Sequence, residues 1–257
     1  MGLMRATVRV CVVSLVASSL FSGSAEALKP KEATGQGNKK GKQIYEQSCL
    51  FCHGVNGKGD GPAAFFNAAY MAPRPTDFTV GSFKFRSTPS GELPMDQDLF
   101  RTVTRGVPGY MPSFRSLTEQ ERWSVISYIK TFYPGFQKEK PESIPLTVSP
   151  VPSTPESIER GRMAYFDSGC QGCHGDDADG EGTLARAKEL MDQSGLPIRP
   201  GDLTSRSSLK NGSAPQDLYR SIMTGLDGTP HPSFLGQYAN KEEEIWHLVN
   251  YLLSLSE

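Results

Sequence analysis

Histidine and cysteine are scarce in this chain, four and five among 257 residues, and tryptophan occurs only twice. Charge of either sign is almost cancelled: 27 lysines and arginines face 28 aspartates and glutamates, a formal net charge of −1. That balance gives no electrostatic footing for nucleic acid, so a nucleic-acid binder is excluded as a class. Strings of β-branched residues are few, while Gly (26) and Pro (19) are plentiful. Such a composition suits helices joined by long irregular loops. After residue 27 no stretch is apolar enough to span a bilayer. The length accommodates two domains of about 100 residues each.

The N-terminus carries the pattern of a secretory signal. Arg5 and Arg9 flank the start of an apolar run from Val10 to Phe21, too short to cross a bilayer comfortably. Ala25-Glu26-Ala27 offers a small-x-small cleavage site. The other reading is an uncleaved anchor. Removal of residues 1–27 takes away Arg5, Arg9, Cys11 and Glu26, leaving a formal charge of about −2. The expected product is soluble and exported.

The main organising feature is an internal repeat. Cys49-Leu50-Phe51-Cys52-His53-Gly54 recurs as Cys170-Gln171-Gly172-Cys173-His174-Gly175. Gly41 and Tyr45 precede the first motif as Gly161 and Tyr165 precede the second. Downstream, Arg74-Pro75-Thr76-Asp77-Phe78 matches Arg199-Pro200-Gly201-Asp202-Leu203, and Asp98-Leu99-Phe100-Arg101 matches Asp217-Leu218-Tyr219-Arg220. Then Met111-Pro112-Ser113-Phe114 matches His231-Pro232-Ser233-Phe234.

Each copy closes with an amphipathic helix. Ile245, Leu248, Val249, Leu252 and Leu253 recur with helical period, as do Trp123, Ile126, Ile129 and Phe132. Thr118 with Glu121, and Asn240 with Glu243, have the spacing of capping boxes. Between the copies, Phe136 to Glu156 holds five prolines, an extended and semi-rigid linker across which few contacts are expected. The expected layout is a signal over 1–27, a leader over 28–37, domain one over 38–134, a linker over 135–156 and domain two over 157–257.

With the signal gone, every remaining cysteine lies in one of the two Cys-x-x-Cys-His motifs, the attachment pattern of c-type haem. Two thiols one helical turn apart can bond to the two vinyl-derived carbons of one porphyrin. The adjacent imidazole then reaches the iron from the same side. A structural zinc site needs more ligands per domain than His53, His174, His231 and His247 allow. A redox dithiol has no need of the following histidine, and a disulfide across two residues closes a tight, strained loop.

On these residues each half resembles a class I cytochrome c domain, and the pair resembles the dihaem two-domain cytochromes of bacterial periplasms. The resemblance covers nearly all of the chain after the signal and is most specific at Cys-x-x-Cys-His. It implies an all-α fold, two tandem domains in which terminal helices cross and loops wrap two covalently bound haems. It also implies a distal methionine in a Met-Pro segment, the place of Met111; Met71 and Met95 are rivals, and a core methionine is the plainer reading. Domain two departs from the family: His231, between Pro230 and Pro232, stands where the methionine belongs. Met223, Met191 or no protein ligand are the alternatives there.

The expected cofactor set is therefore Cys49, Cys52, His53 and Met111, then Cys170, Cys173, His174 and His231. Arg74 and Arg199, repeated before proline, are candidates to hold haem propionates or are plain surface arginines. His247 reads as a helix packing residue, and Asp176, Asp177, Asp179 and Glu181 as a solvated loop rather than a calcium site. The expectation is an electron carrier rather than an enzyme, exported to the periplasm. It would serve a redox protein or respiratory enzyme complex, including peripheral association with one held at a membrane. A dihaem enzyme, peroxidase-like or oxidising sulfur compounds, and a haem-based small-ligand binder are the alternatives.

Overall fold

The computed structural model describes residues 35–67, 74–145 and 151–255. The expected signal, most of the leader, Met71 and residues 146–150 of the linker lie outside the described residues. The first repeat forms α1 (Gly35–Ser48), α2 (Leu50–His53), α3 (Pro62–Asn67), α4 (Asp96–Arg105) and α5 (Glu119–Ile129). The second forms α6 (Pro155–Asp167), α7 (Gln171–His174), α8 (Thr183–Arg186), α9 (Pro215–Thr224) and α10 (Glu242–Leu255), in the same order. Among the described residues there is no strand, only two isolated bridges, and no helix long and apolar enough to cross a membrane.

In each repeat the first and last helices cross at a glycine. A Cβ on Gly41 of α1 would run into the carbonyl of Ser124 on α5, and one on Gly161 of α6 into that of His247 on α10. Glycine is repeated here because only its missing side chain lets the two backbones approach so closely. Around each crossing lies a separate apolar core. One holds Ile44, Tyr45, Val125 and Ile126. The other holds Tyr165, Ile245, Leu248 and Val249. The matching tryptophans tie the last helix to the one before it. Trp123 stacks on Phe100 at 4.3 Å and Trp246 on Tyr219 at 4.6 Å, each pair about 20° from parallel.

Thr118 and Glu121 form the expected capping box: Glu121 N–H donates to Thr118 Oγ1 (3.3 Å) and Thr118 N–H to Glu121 Oε2 (3.0 Å). The corresponding expectation for Asn240 fails. Lys241 N–H bonds back to Tyr238 O in a turn, and Asn240 takes a left-handed φ of 62°. A cap needs extended backbone, and α10 starts only at Glu242. Its N-terminus carries Glu242, Glu243 and Glu244, which complement the helix dipole instead.

The linker also differs from expectation. Ile144 N–H donates to Ser87 O of the first repeat (2.7 Å), while its side chain joins the second core. Asn250 on α10 donates to Val151 O and Pro152 O. The repeats themselves meet at a polar seam. Arg86, with 0 % exposure, donates through Nη2 to Thr224 O and to Asp227 Oδ1, both at 2.7 Å. Asp227 also accepts from Ser90 Oγ and the N–H of Gly91. Arg105 reaches Asp217 of the second repeat at 2.8 Å. Prolines stiffen the connection, but buried side-chain chemistry binds its two ends into one compact unit spanning Glu32–Glu257.

Candidate cofactor sites

Each cysteine motif is one helical turn at the end of its repeat's first helix. Cys49 N–H donates to Tyr45 O (2.8 Å) and His53 N–H to Cys49 O (2.9 Å). Cys170 and His174 repeat the pattern at 3.1 and 2.9 Å. Gly54 and Gly175 end the turns at φ 78° and 84°, and their carbonyls accept from the phenols of Tyr45 (2.7 Å) and Tyr165 (2.6 Å). Those buried phenols satisfy a carbonyl that would otherwise be stranded, which is the physical reason for a tyrosine in both repeats.

The four cysteines form no disulfide. Burial pushes the Cys49 and Cys170 thiols up to about 11 and raises Cys173 as well.

The two motif histidines are held alike. His53 Nδ1 lies 3.2 Å from Thr76 O and His174 Nδ1 lies 3.0 Å from Gly201 O. A carbonyl can only accept, so Nδ1 carries the proton and Nε2 keeps its lone pair. Burial drives His53 down to about 4 and lowers His174 too, against the opposing pull of those carbonyls. Both rings are neutral donors.

The distal loops are built on one plan. Gly106 and Gly225 cap α4 and α9 with φ near 70°. The loops then fold back over them so tightly that a Cβ on either glycine would strike the following Met-Pro or Pro-Ser backbone. Ser113 Oγ donates to Thr104 O (2.8 Å) and Ser233 Oγ to Met223 O (2.6 Å). Val107 and Met111 exchange two backbone hydrogen bonds at 2.9 Å, whereas domain two keeps one, from Leu226 N–H to His231 O.

The four expected anchoring cysteines and the four expected iron ligands line a single cavity of about 580 Å³ to which both repeats contribute. Met111 faces the same space as His53. Its described rivals do not: Met95 sits at the start of α4, Met223 is 2 % exposed within the second core, and Met191 points to solvent. Met71 lies outside the described residues.

His231 and His174 face each other with ring centroids 6.5 Å apart. An imidazole nitrogen sits about 2 Å from a first-row metal, with the ring centre about 1 Å behind it. Two rings on opposite sides of one metal would thus stand about 6 Å apart, and the observed spacing leaves room for one iron. His231 is walled in by protein though open to the cavity; burial, joined by the nearby His174, lowers it to about 4. Its Nδ1 lies 3.1 Å from Pro232 O, which again leaves Nε2 with the lone pair.

The arginines diverge. Arg74 lines the cavity with its guanidinium 5.2 Å from the Phe65 ring, and its buried Nε has no partner. An orphaned donor beside an apolar cavity fits an anionic cofactor edge. Arg199 also lines the cavity, but it is largely exposed and lies 3.5 Å from Glu181. His247 packs in the helix crossing against Ser157 Oγ at 2.7 Å. Among the described residues no group of three or more His, Cys, Asp or Glu could hold a metal ion, the acidic loop included.

Two charged cavity residues escaped the sequence reading, Lys84 and Lys210. The signal was there in the repeat Ser82-Phe83-Lys84 and Ser208-Leu209-Lys210, but it has no motif chemistry to mark it.

Comparison with known proteins completes the site. Residues 36–129 match the family described as cytochrome c oxidase, cbb3-type, subunit III, and residues 158–256 match the family described as cytochrome c. No curated protein matches the chain. A solved chain from the Kuenenia stuttgartiensis reducing HAO-like protein complex Kustc0457/Kustc0458 is 39% identical, with a TM-score of 0.78 over 89% of this chain and 99% of that one.

Proposed function

The chain belongs to the c-type cytochromes as a dihaem class I member, two tandem haem domains that make it a haem electron carrier, and we propose that it is an exported two-potential relay between redox partners. The observation that carries this reading is the shared cavity: both sets of cofactor-binding residues line one space inside one compact unit, so the two cofactors would sit close together.

When bound, the two covalent haems supply reversible one-electron chemistry. What the chain's residues do follows from their placement. Cys49 with Cys52, and Cys170 with Cys173, provide the covalent anchors. Thr76 O and Gly201 O orient the proximal imidazoles of His53 and His174. Met111 and His231 would hold the two irons opposite those imidazoles, as a carrier with no open position for a substrate requires. A thioether favours reduced iron and an imidazole favours oxidised iron. His231 therefore sets the second site at the lower potential, Met111 sets the first at the higher, and the pair acquires a direction.

The signal pattern supports export to the periplasm, and the solved relative, itself part of a complex, supports work beside a redox enzyme rather than alone. Carbon monoxide tests the carrier reading. The reduced wild-type protein is expected to bind none in stoichiometric amount, and His231→Gly is expected to bind one equivalent. Stoichiometric binding by wild type would instead favour an enzyme or a ligand sensor.

A further inference from the structure

Lys84 and Lys210 stand on opposite sides of the seam between the repeats, and both line the cavity. Neither has a carboxylate within ion-pair distance among the described residues. The carboxylate that Lys84 feels and those of the seam are already engaged. Asp192, whose charge Lys84 feels, accepts from the N–H groups of Ser194 (2.8 Å) and Leu196 (3.0 Å). Asp217 is shared by Arg105 and Arg220. Asp227 is held by Arg86, Ser90 and Gly91. Lys210 has only the Tyr110 ring, 4.8 Å from its Nζ and contributed by the other repeat.

Two unpaired ammonium groups in an apolar cavity are a standing cost, because burial disfavours charge and the two repel. Burial lowers both lysines, and the Lys84 charge lowers Lys210 further. A natural protein keeps such a pair when something anionic completes it. Each haem brings two carboxylates, and the arginines cannot serve both cofactors equally: Arg74 keeps an unpartnered Nε, while Arg199 already faces Glu181.

We propose that Lys84 and Lys210 form a cationic bridge at the domain seam that binds haem propionates, so that cofactor loading itself helps fasten the two repeats together. The proposal rests on the haem sites described above. The lysines occupy the same place in each repeat, each following a buried or half-buried apolar residue, Phe83 and Leu209, that fixes the backbone beside the cavity. The bridge is positional: it touches the cofactor edge, not the iron. A positive charge near the iron favours its reduced form, so the bridge also raises both potentials.

The test uses the full holoprotein with Lys84→Gln, Lys210→Gln, the double variant and the conservative Lys→Arg forms. Lys138→Gln, an exposed change of the same charge outside the cavity, is the control. Each glutamine variant is expected to shift the reduced-to-oxidised equilibrium toward oxidised by about tenfold at the haem of its own domain, 59 mV for one electron. The arginine forms are expected to restore it and the control to leave it unchanged. In wild type, the haem carboxylate bands of the reduced-minus-oxidised infrared difference spectrum are expected to move in the Lys→Arg forms, a readout that does not depend on the glutamine variants folding. Shifts no larger than the control's, or carboxylate bands indifferent to Lys→Arg, would overturn the proposal. Failure of the haem-site reading would show differently, as fewer than two haems per chain.

Discussion

The distal side chains decide how the two sites differ, and each is replaceable without touching the scaffold. Met111 is fixed by two backbone bonds to Val107 that do not involve its side chain. Met111→Ala is therefore expected to keep the fold and lose the weak sulfur-to-iron band near the red end of the oxidised spectrum. A band that persists would move the role to Met71, since Met95 lies away from the cavity. This part of the site was legible in sequence because it is local: ligand, proline and serine are neighbours in the chain and repeat together. Arg74 and Arg199 show the limit. They match in sequence but not in partners: Arg199 lies 3.5 Å from Glu181, whereas Asp60, at the matching place, makes no ion pair with Arg74 among the described residues.

At the level of helices, the repeated glycines carry a sharp prediction. Gly161→Ala places a methyl group against the His247 carbonyl and the Tyr251 side chain. The helices must part, at a cost of about 1–3 kcal/mol typical of overpacking. Gly236→Ala, which meets nothing, is expected to stay within about 0.5 kcal/mol. Denaturant melts of the holoproteins compare the two, and equal midpoints would refute the close-crossing account. Loss of the cap in Thr118→Ala is expected to cost about 1 kcal/mol, read from the same melts. Helix identity and the crossing glycines were visible in the sequence through period and repetition. The start of α10 was not, because the turn after Tyr238 holds Asn240 left-handed, and turn geometry outweighs the Asn-to-Glu spacing.

Across the whole molecule, the seam makes two repeats into one unit. Arg86 and Asp227 lie 141 positions apart, so no local pattern announces their pairing, and the proline-rich linker points the other way. Asp227→Ala leaves a fully buried guanidinium without its carboxylate, a loss of about 3–5 kcal/mol for a broken buried pair. Unfolding is then expected to separate into two steps, one per domain; a single unchanged transition would show the seam to be inert. The two-potential relay itself rests on unequal distal donors, and a potentiometric titration of wild type beside His231→Met, followed by optical and EPR spectra, tests it most directly. The account predicts two separate one-electron steps in wild type, with only the lower one rising in the variant until the two approach each other. Coincident steps in wild type, or a lower step that ignores the substitution, would contradict it.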